Sequence, residues 1–261
     1  MEIRFNTFSE MFTKGKRESF LSSKYLFRKI SIPISFVFAK LGVSSNTITF
    51  VSLIFAISGA FLQTSGEPLL ILISIGCLLI YTILDHCDGE LARYEINILK
   101  LKKGPEGPYF DALVHYLFTP IFYFAIGFAK YLESGFELAL WEGVITGIWL
   151  SSFSQASALR VTLDRIIESN QSISDFKSIW LHDKVIDRGK FTVKQTIRSI
   201  IRETFSTQGQ IIIISLLSII DIFKEWSFSL RFVFLDFMFI LSLIGIIRAS
   251  LLFFNKLKEI K

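Results

Sequence analysis

Apolar runs close to membrane length recur along this chain, and that recurrence constrains its fold more than any other feature. A helix needs roughly 20 mostly apolar residues to cross the hydrocarbon core, because lipid cannot satisfy exposed backbone N–H and C=O groups. Windows of about that length stand at 46–64, 68–92, 108–130, 137–160, 208–223 and 229–254, the fifth being short. With 51% of its 261 residues hydrophobic, the chain does not read as an ordinary soluble domain. The expected fold is therefore all-α: a polytopic membrane protein with six transmembrane helices. Residues 1–45 form an N-terminal segment with an interfacial helix, and residues 46–261 form one membrane domain with a long polar loop at 166–207.

Basic residues set the expected orientation, since cytoplasmic loops of membrane proteins are enriched in Lys and Arg. Of the 28 basic residues, eight precede the first window and nine lie from Arg160 to Arg202. Arg93, Lys100, Lys102 and Lys103 follow the second window, and Lys256, Lys258 and Lys261 end the chain. The alternate loops hold Lys130, Lys224 and Arg231 alone. Both termini and the second and fourth loops are thus expected on the cytoplasmic side. The net charge of +5 then serves anionic lipid headgroups, and no nucleic-acid partner is expected. No signal-like cleavage site precedes the first window, so its helix is expected to be retained.

Residues 23–41 mix aromatic and aliphatic side chains with Lys24, Arg28, Lys29 and Lys40, and Pro33 interrupts them. That pattern suits a kinked helix lying on the membrane surface. The first span opens with "SSNTIT", where Asn46 or a neighbouring Ser can cap the helix. Val193, Ile197, Ile200, Ile201 and Phe205 share one helical face opposite Lys194, Arg198 and Arg202, which predicts a second surface helix. Cys77 and Cys87 would stand about 15 Å apart along one helix, too far for a disulfide. Cys87 reads as a small packed side chain.

Charge is concentrated where the second and third windows meet. Asp85 and Asp88 are three apart near the end of one helix, and Asp111 and His115 are four apart near the start of the next. Each pair shares a helical face. Antiparallel packing would bring three carboxylates and an imidazole together just inside the membrane boundary. Unpaired carboxylates at that depth cost several kcal/mol each, so protons, basic partners or a cation must neutralise them. Hard oxygen ligands at this density suit Mg²⁺, Mn²⁺ or Ca²⁺, of which Mg²⁺ or Mn²⁺ is the expected cofactor. The alternative is a cluster salt-bridged to Arg93 and the loop lysines. Gly89 and Ala92 leave open space beside the acids, Arg93 adds a guanidinium suited to phosphate, and Gly107 permits close approach. Metal, open floor and guanidinium together suggest a diphosphate.

These residues resemble the signature of the CDP-alcohol phosphotransferases, in which D-x-x-D-G-x-x-A-R is followed by G-x-x-x-D-x-x-x-D. Asp85, Asp88, Gly89, Ala92, Arg93, Gly107 and Asp111 match it in order. The resemblance implies six spans, an N-terminal surface helix and a homodimer. It implies metal-dependent transfer of a phosphoalcohol group from a CDP-linked donor, CDP-diacylglycerol or a CDP-polar alcohol, to an acceptor hydroxyl, with release of CMP. It assigns Asp85, Asp88 and Asp111 to metal, and Asn46, Thr49, Gly89, Ala92, Arg93 and Gly107 to the nucleotide. Thirteen residues separate Arg93 from Gly107, against about eight in the family pattern, an insertion that a loop tolerates at small entropic cost.

His115 stands where the pattern has its last aspartate. An imidazole can accept the acceptor's proton or give one nitrogen to a metal, but it cannot bridge two ions as a carboxylate can. His115 is accordingly both the catalytic candidate and a candidate ligand. Arg160, Arg165 and Arg248 are candidates for an acceptor phosphate, and Glu90 resembles members that make inositol phosphodiesters. Two other readings stand: a catalytically inert relative, and a membrane transporter, in which acids inside spans would mark an ion path.

Overall fold

The computed structural model describes residues 4–13, 22–101, 106–152, 197, 200, 203–223 and 228–260, and the regular elements among them are all helical. In chain order these are α1 (Phe5–Thr13), a π-helical turn (Ser23–Phe27), α2 (Arg28–Leu41), α3 (Ser45–Leu62), α4 (Pro68–Asn97) and α5 (Glu106–Ser134). They continue with α6 (Leu138–Ser152), α7 (Thr207–Phe223) and α8 (Leu230–Ile260).

Among the described residues four helices are long and apolar enough to cross a membrane: α3, α4, α5 from Tyr109, and α8 to Leu251. The windows at 137–160 and 208–223 correspond to shorter apolar helices, α6 and α7. The 17 residues of α7 give about 25 Å at 1.5 Å per residue, below the roughly 30 Å hydrocarbon thickness. The remainder of the fourth window, 153–160, lies outside the described residues, as does most of the surface helix expected around 193–205.

Local chemistry sets the helix ends. Ser44, rather than Asn46, caps α3: its Oγ accepts from the Thr47 N–H at 3.2 Å. Pro68 opens α4, where its missing N–H costs nothing. Gly42, at φ +69°, ends α2 in a left-handed turn closed by a Val43 N–H to Phe38 C=O bond of 3.0 Å. Pro33 sits within α2 without dividing it.

The main core joins Ala56 and Ala60 of α3, Leu78 and Tyr81 of α4, Phe118, Phe122 and Ile126 of α5, Ile211 and Ile214 of α7, and Leu235 and Met238 of α8. A second cluster seats Phe8 and Phe12 of α1 against Ile32 of α2 and Tyr94 of α4. α2 buries Ser31, Ile32 and Ser35 while Ile30, Val37 and Leu41 stay exposed, so one of its faces is committed to the bundle. Cys87 is buried against α2, its Sγ 3.6 Å from the Ser31 carbonyl oxygen, as a packed side chain should be.

Helices α5 and α6 approach through small residues. A Cβ at Gly143 would meet the Tyr123 carbonyl oxygen at 2.5 Å, and one at Gly147 would meet the Pro120 Cα at 2.6 Å. At the same end of the bundle Lys130 bonds Glu142 of α6 at 2.6 Å and also Asp236 of α8. Arg231 of α8 donates to the Gln63 backbone and side-chain oxygens at 3.1 and 3.2 Å, and Asp221 caps α8 through the Leu230 and Arg231 N–H groups.

Gly143→Val is expected to lose about 1–3 kcal/mol of stability through overpacking against the α5 backbone. Gly66→Ala, where a Cβ meets nothing within 4 Å, should stay within about 0.5 kcal/mol. Unfolding midpoints in one detergent compare the two, and equal midpoints would contradict the close α5–α6 contact.

Candidate functional site

The C-terminal half of α4 carries Asp85, Asp88, Glu90 and Glu95, and each acid is used against a different neighbour or position. Successive α-helical residues turn by roughly 100°. Relative to Asp85, then, Glu90 points to the opposite side, while Asp88 and Glu95 fall near one another on a third. Asp85 meets α5, Glu90 meets α2, and Asp88 and Glu95 meet α3.

Toward α5, His115 Nε2 lies 2.9 Å from Asp85 Oδ1 and 3.5 Å from Asp111 Oδ1. Its Nδ1 lies 3.1 Å from the Tyr81 hydroxyl. Tyr81 precedes Asp85 by one turn, is 2% exposed, and packs its ring on Phe118 with centroids 4.8 Å apart. The side chains of Asp85, His115 and Asp111 are 25%, 31% and 48% exposed, so the cluster opens on the Asp111 side.

Asp85, Asp111 and His115 each offer one ligand atom, and the three atoms lie within 4.8 Å of one another. Adjacent ligands of an ion bound at 2.0–2.4 Å stand about 3–3.5 Å apart by simple geometry. The 2.9 and 3.5 Å contacts therefore fit a divalent ion as well as they fit an ion-paired histidine.

Asp88, expected to share this group, gives one oxygen to α3 while staying close enough to Asp85, Asp111 and His115 to interact with their charges. It is 6% exposed and accepts from Thr49 Oγ1 at 2.6 Å. A three-residue step sets the two carboxylates roughly 60° apart on one face of α4, and that face borders both α3 and α5. Thr49, expected at the nucleotide, is thereby the donor that satisfies a buried carboxylate.

The other nucleotide candidates fall nearby. A Cβ at Gly107 would lie 3.4 Å from Asn46 Oδ1, so the starts of α3 and α5 adjoin there. The Arg93 guanidinium folds back over Gly89, 3.7 and 3.8 Å from where its Cβ would be, and also lies over the Phe12 ring at 5.5 Å. Ala92 is partly exposed beside it. Of the acceptor candidates, Arg248 is exposed on α8, and Arg160 and Arg165 lie outside the described residues.

Glu90 is 1% exposed and accepts from Ser31 Oγ at 2.9 Å and Ser35 Oγ at 2.7 Å. It clips α2 to α4, which accounts for an acid at this position without a substrate. Tyr81 and His86 belong to no motif in the chain. Tyr81 stands one turn before Asp85, and that spacing is the signal that places it beside the cluster. His86 has Nδ1 2.9 Å from the Thr82 carbonyl oxygen and Nε2 2.6 Å from Ser23 Oγ, and it holds the π-helical turn on α4. Its partner lies 63 positions away, and no spacing along the chain signals that.

No protein-family profile matches the chain, and no curated protein matches it.

Thr49→Val keeps the shape of the side chain and removes the donor to Asp88. It should cost about 1–3 kcal/mol, the worth of a buried hydrogen bond to a charged group or to an acceptor left unsatisfied. Thermal unfolding of the two proteins in the same micelles measures it; an unshifted midpoint would show that Asp88 does not depend on Thr49.

Proposed function

We propose that the chain is a metal-dependent CDP-alcohol phosphotransferase, moving a phosphoalcohol group from a CDP-linked donor to an acceptor hydroxyl with release of CMP. The observation that supports this best is the convergence of Asp85, Asp111 and His115 at the junction of α4 and α5. Small residues and Arg93 adjoin it in the order that the sequence signature requires. In this reading α6 and α7 complete six spans, α1 and α2 lie on the cytoplasmic surface, and the site opens to that side. A homodimer belongs to the same reading.

Asp85, Asp111 and His115 would hold the ion, Mg²⁺ or Mn²⁺. When bound, such an ion offsets the negative charge that develops on the leaving phosphate. The chain's own groups do the remaining work. Arg93, whose guanidinium lies over Gly89, holds the diphosphate there, and Asn46 and Gly107 border the nucleotide. The acceptor hydroxyl attacks the phosphorus that bears the alcohol, a new P–O bond forms, and the bond to the bridging oxygen breaks to release CMP. Positioning supplies most of the rate advantage in such a step.

The proton of the attacking hydroxyl needs an acceptor. His115 Nε2 has one lone pair, so it cannot ligate an ion and take a proton at once. With Nδ1 on Tyr81 and Nε2 between two carboxylates, the geometry favours the ligand role. The second oxygen of Asp111, the most exposed of the three residues, then receives the proton. Arg248 and the arginines at 160 and 165 remain candidates for an acceptor phosphate.

The 2.9 Å contact between His115 and Asp85 also favours a second reading, an ion-paired cluster in a catalytically inert protein. The purified chain in micelles, given Mn²⁺ or Mg²⁺ and a panel of CDP-diacylglycerol and CDP-polar alcohols with candidate acceptors, should release CMP from at least one pair. Asp85→Asn and Asp111→Asn should each lower the rate by roughly a hundred-fold or more. His115→Ala should lower it strongly, and His115→Asp should retain more. Near-normal rates in His115→Ala would remove His115 from the mechanism. Absence of CMP release with every donor would favour the inert or transporter readings.

A further inference from the structure

The donor set at the α4–α5 junction is mixed: two carboxylates and one imidazole, with the imidazole between them. We infer that this site is built for a nitrogen-accepting transition-metal ion of the Fe²⁺, Co²⁺ or Zn²⁺ class in preference to Mg²⁺, bound through His115 Nε2, and that Tyr81 is the positioning residue that presents that nitrogen. The inference rests on the metal-site part of the function proposed above and specifies which ion the site selects and how.

The geometry carries the first half. His115 Nε2 stands 2.9 Å from Asp85 Oδ1 and 3.5 Å from Asp111 Oδ1, the separations of neighbouring ligands on one ion. Magnesium takes oxygen ligands at 2.0–2.1 Å and gives up water reluctantly. Imidazole nitrogen suits the later first-row ions. A site with one nitrogen among three protein ligands therefore discriminates against Mg²⁺ more than an all-oxygen site would. Three protein ligands also leave positions free on the Asp111 side, as a site that must admit substrate oxygens requires.

Tyr81 carries the second half. Metal-bound histidine ordinarily donates its other ring N–H to a neighbour, which fixes both tautomer and ring orientation. Here that neighbour is the Tyr81 hydroxyl, 3.1 Å from Nδ1, on a side chain 2% exposed and packed on Phe118. With Nδ1–H given to Tyr81, Nε2 carries the lone pair and points between the carboxylates. His115 is held to one direction by a buried residue of α4, the helix that also supplies Asp85.

The test reads binding rather than turnover. Isothermal titration of the full chain in micelles with Mn²⁺, Co²⁺, Zn²⁺ and Mg²⁺ gives each dissociation constant, for the unaltered protein, His115→Asp and Tyr81→Phe. Pulsed electron paramagnetic resonance of the Mn²⁺-loaded protein reports directly whether a ring nitrogen is bound. The expected results are a nitrogen coupling that His115→Asp abolishes, and at least a tenfold fall in the preference for Co²⁺ over Mg²⁺ in that variant. Tyr81→Phe should weaken Co²⁺ binding about 10–100-fold, the usual cost of losing such a partner, with a smaller effect on Mg²⁺. Metal binding without nitrogen coupling, or an unchanged preference in His115→Asp, would overturn the inference and leave a carboxylate-bound ion in place. No binding of any ion would overturn both the inference and the metal-dependent reading.

Discussion

A carboxylate beside an apolar phase must find a partner, and four of them on the last turns of α4 organise the surrounding helices. Asp85 is answered by His115 of α5, Asp88 by Thr49 of α3, Glu90 by Ser31 and Ser35 of α2, and Glu95 by the Ser45 N–H at the start of α3. Leaving any of these groups desolvated and unpaired would cost several kcal/mol. The approach of three helices to one segment of α4 is thus fixed by polar chemistry as well as by packing. The site is what remains where one of those contacts, with α5, is open to the outside.

The opposite end of the bundle uses the same device for a different result. Lys130, Glu142 and Asp236 tie α5, α6 and α8, while Arg231 ties α8 to Gln63 beyond the end of α3. Between the two polar ends lies the aromatic and aliphatic core around Tyr81, Phe118 and Phe122. Tyr81 belongs to both: its ring is core and its hydroxyl is the last polar atom before the acids. The core thereby reaches the imidazole directly, so that the direction of the ring is set by packing rather than by a loop.

Much of this was legible along the chain because it depends on local period and composition. Four of the expected windows correspond to helices long and apolar enough to span, and the pairing of Asp111 with His115 on one face follows from their spacing. Two windows correspond to shorter helices, since apolar character alone does not set where a helix ends. Of the caps the sequence left open, Asn46 or a neighbouring Ser, it is Ser44 that serves, because a cap needs extended backbone, ψ 151° at Ser44, as well as a short polar side chain.

The all-helical character, the apolar windows and the gathering of acids at one inter-helix junction are written in the order of residues alone. These follow from 3.6-residue periodicity and from the cost of charge near lipid. Which acid serves which neighbour depends instead on how the helices pack. Asp85 and Asp88 look alike in the chain, yet one meets His115 and the other Thr49, because the α4 face they share borders both α3 and α5. The bonds of His86 to Ser23 and of Glu90 to Ser31 and Ser35 join residues more than 50 positions apart, and only packing brings such pairs together.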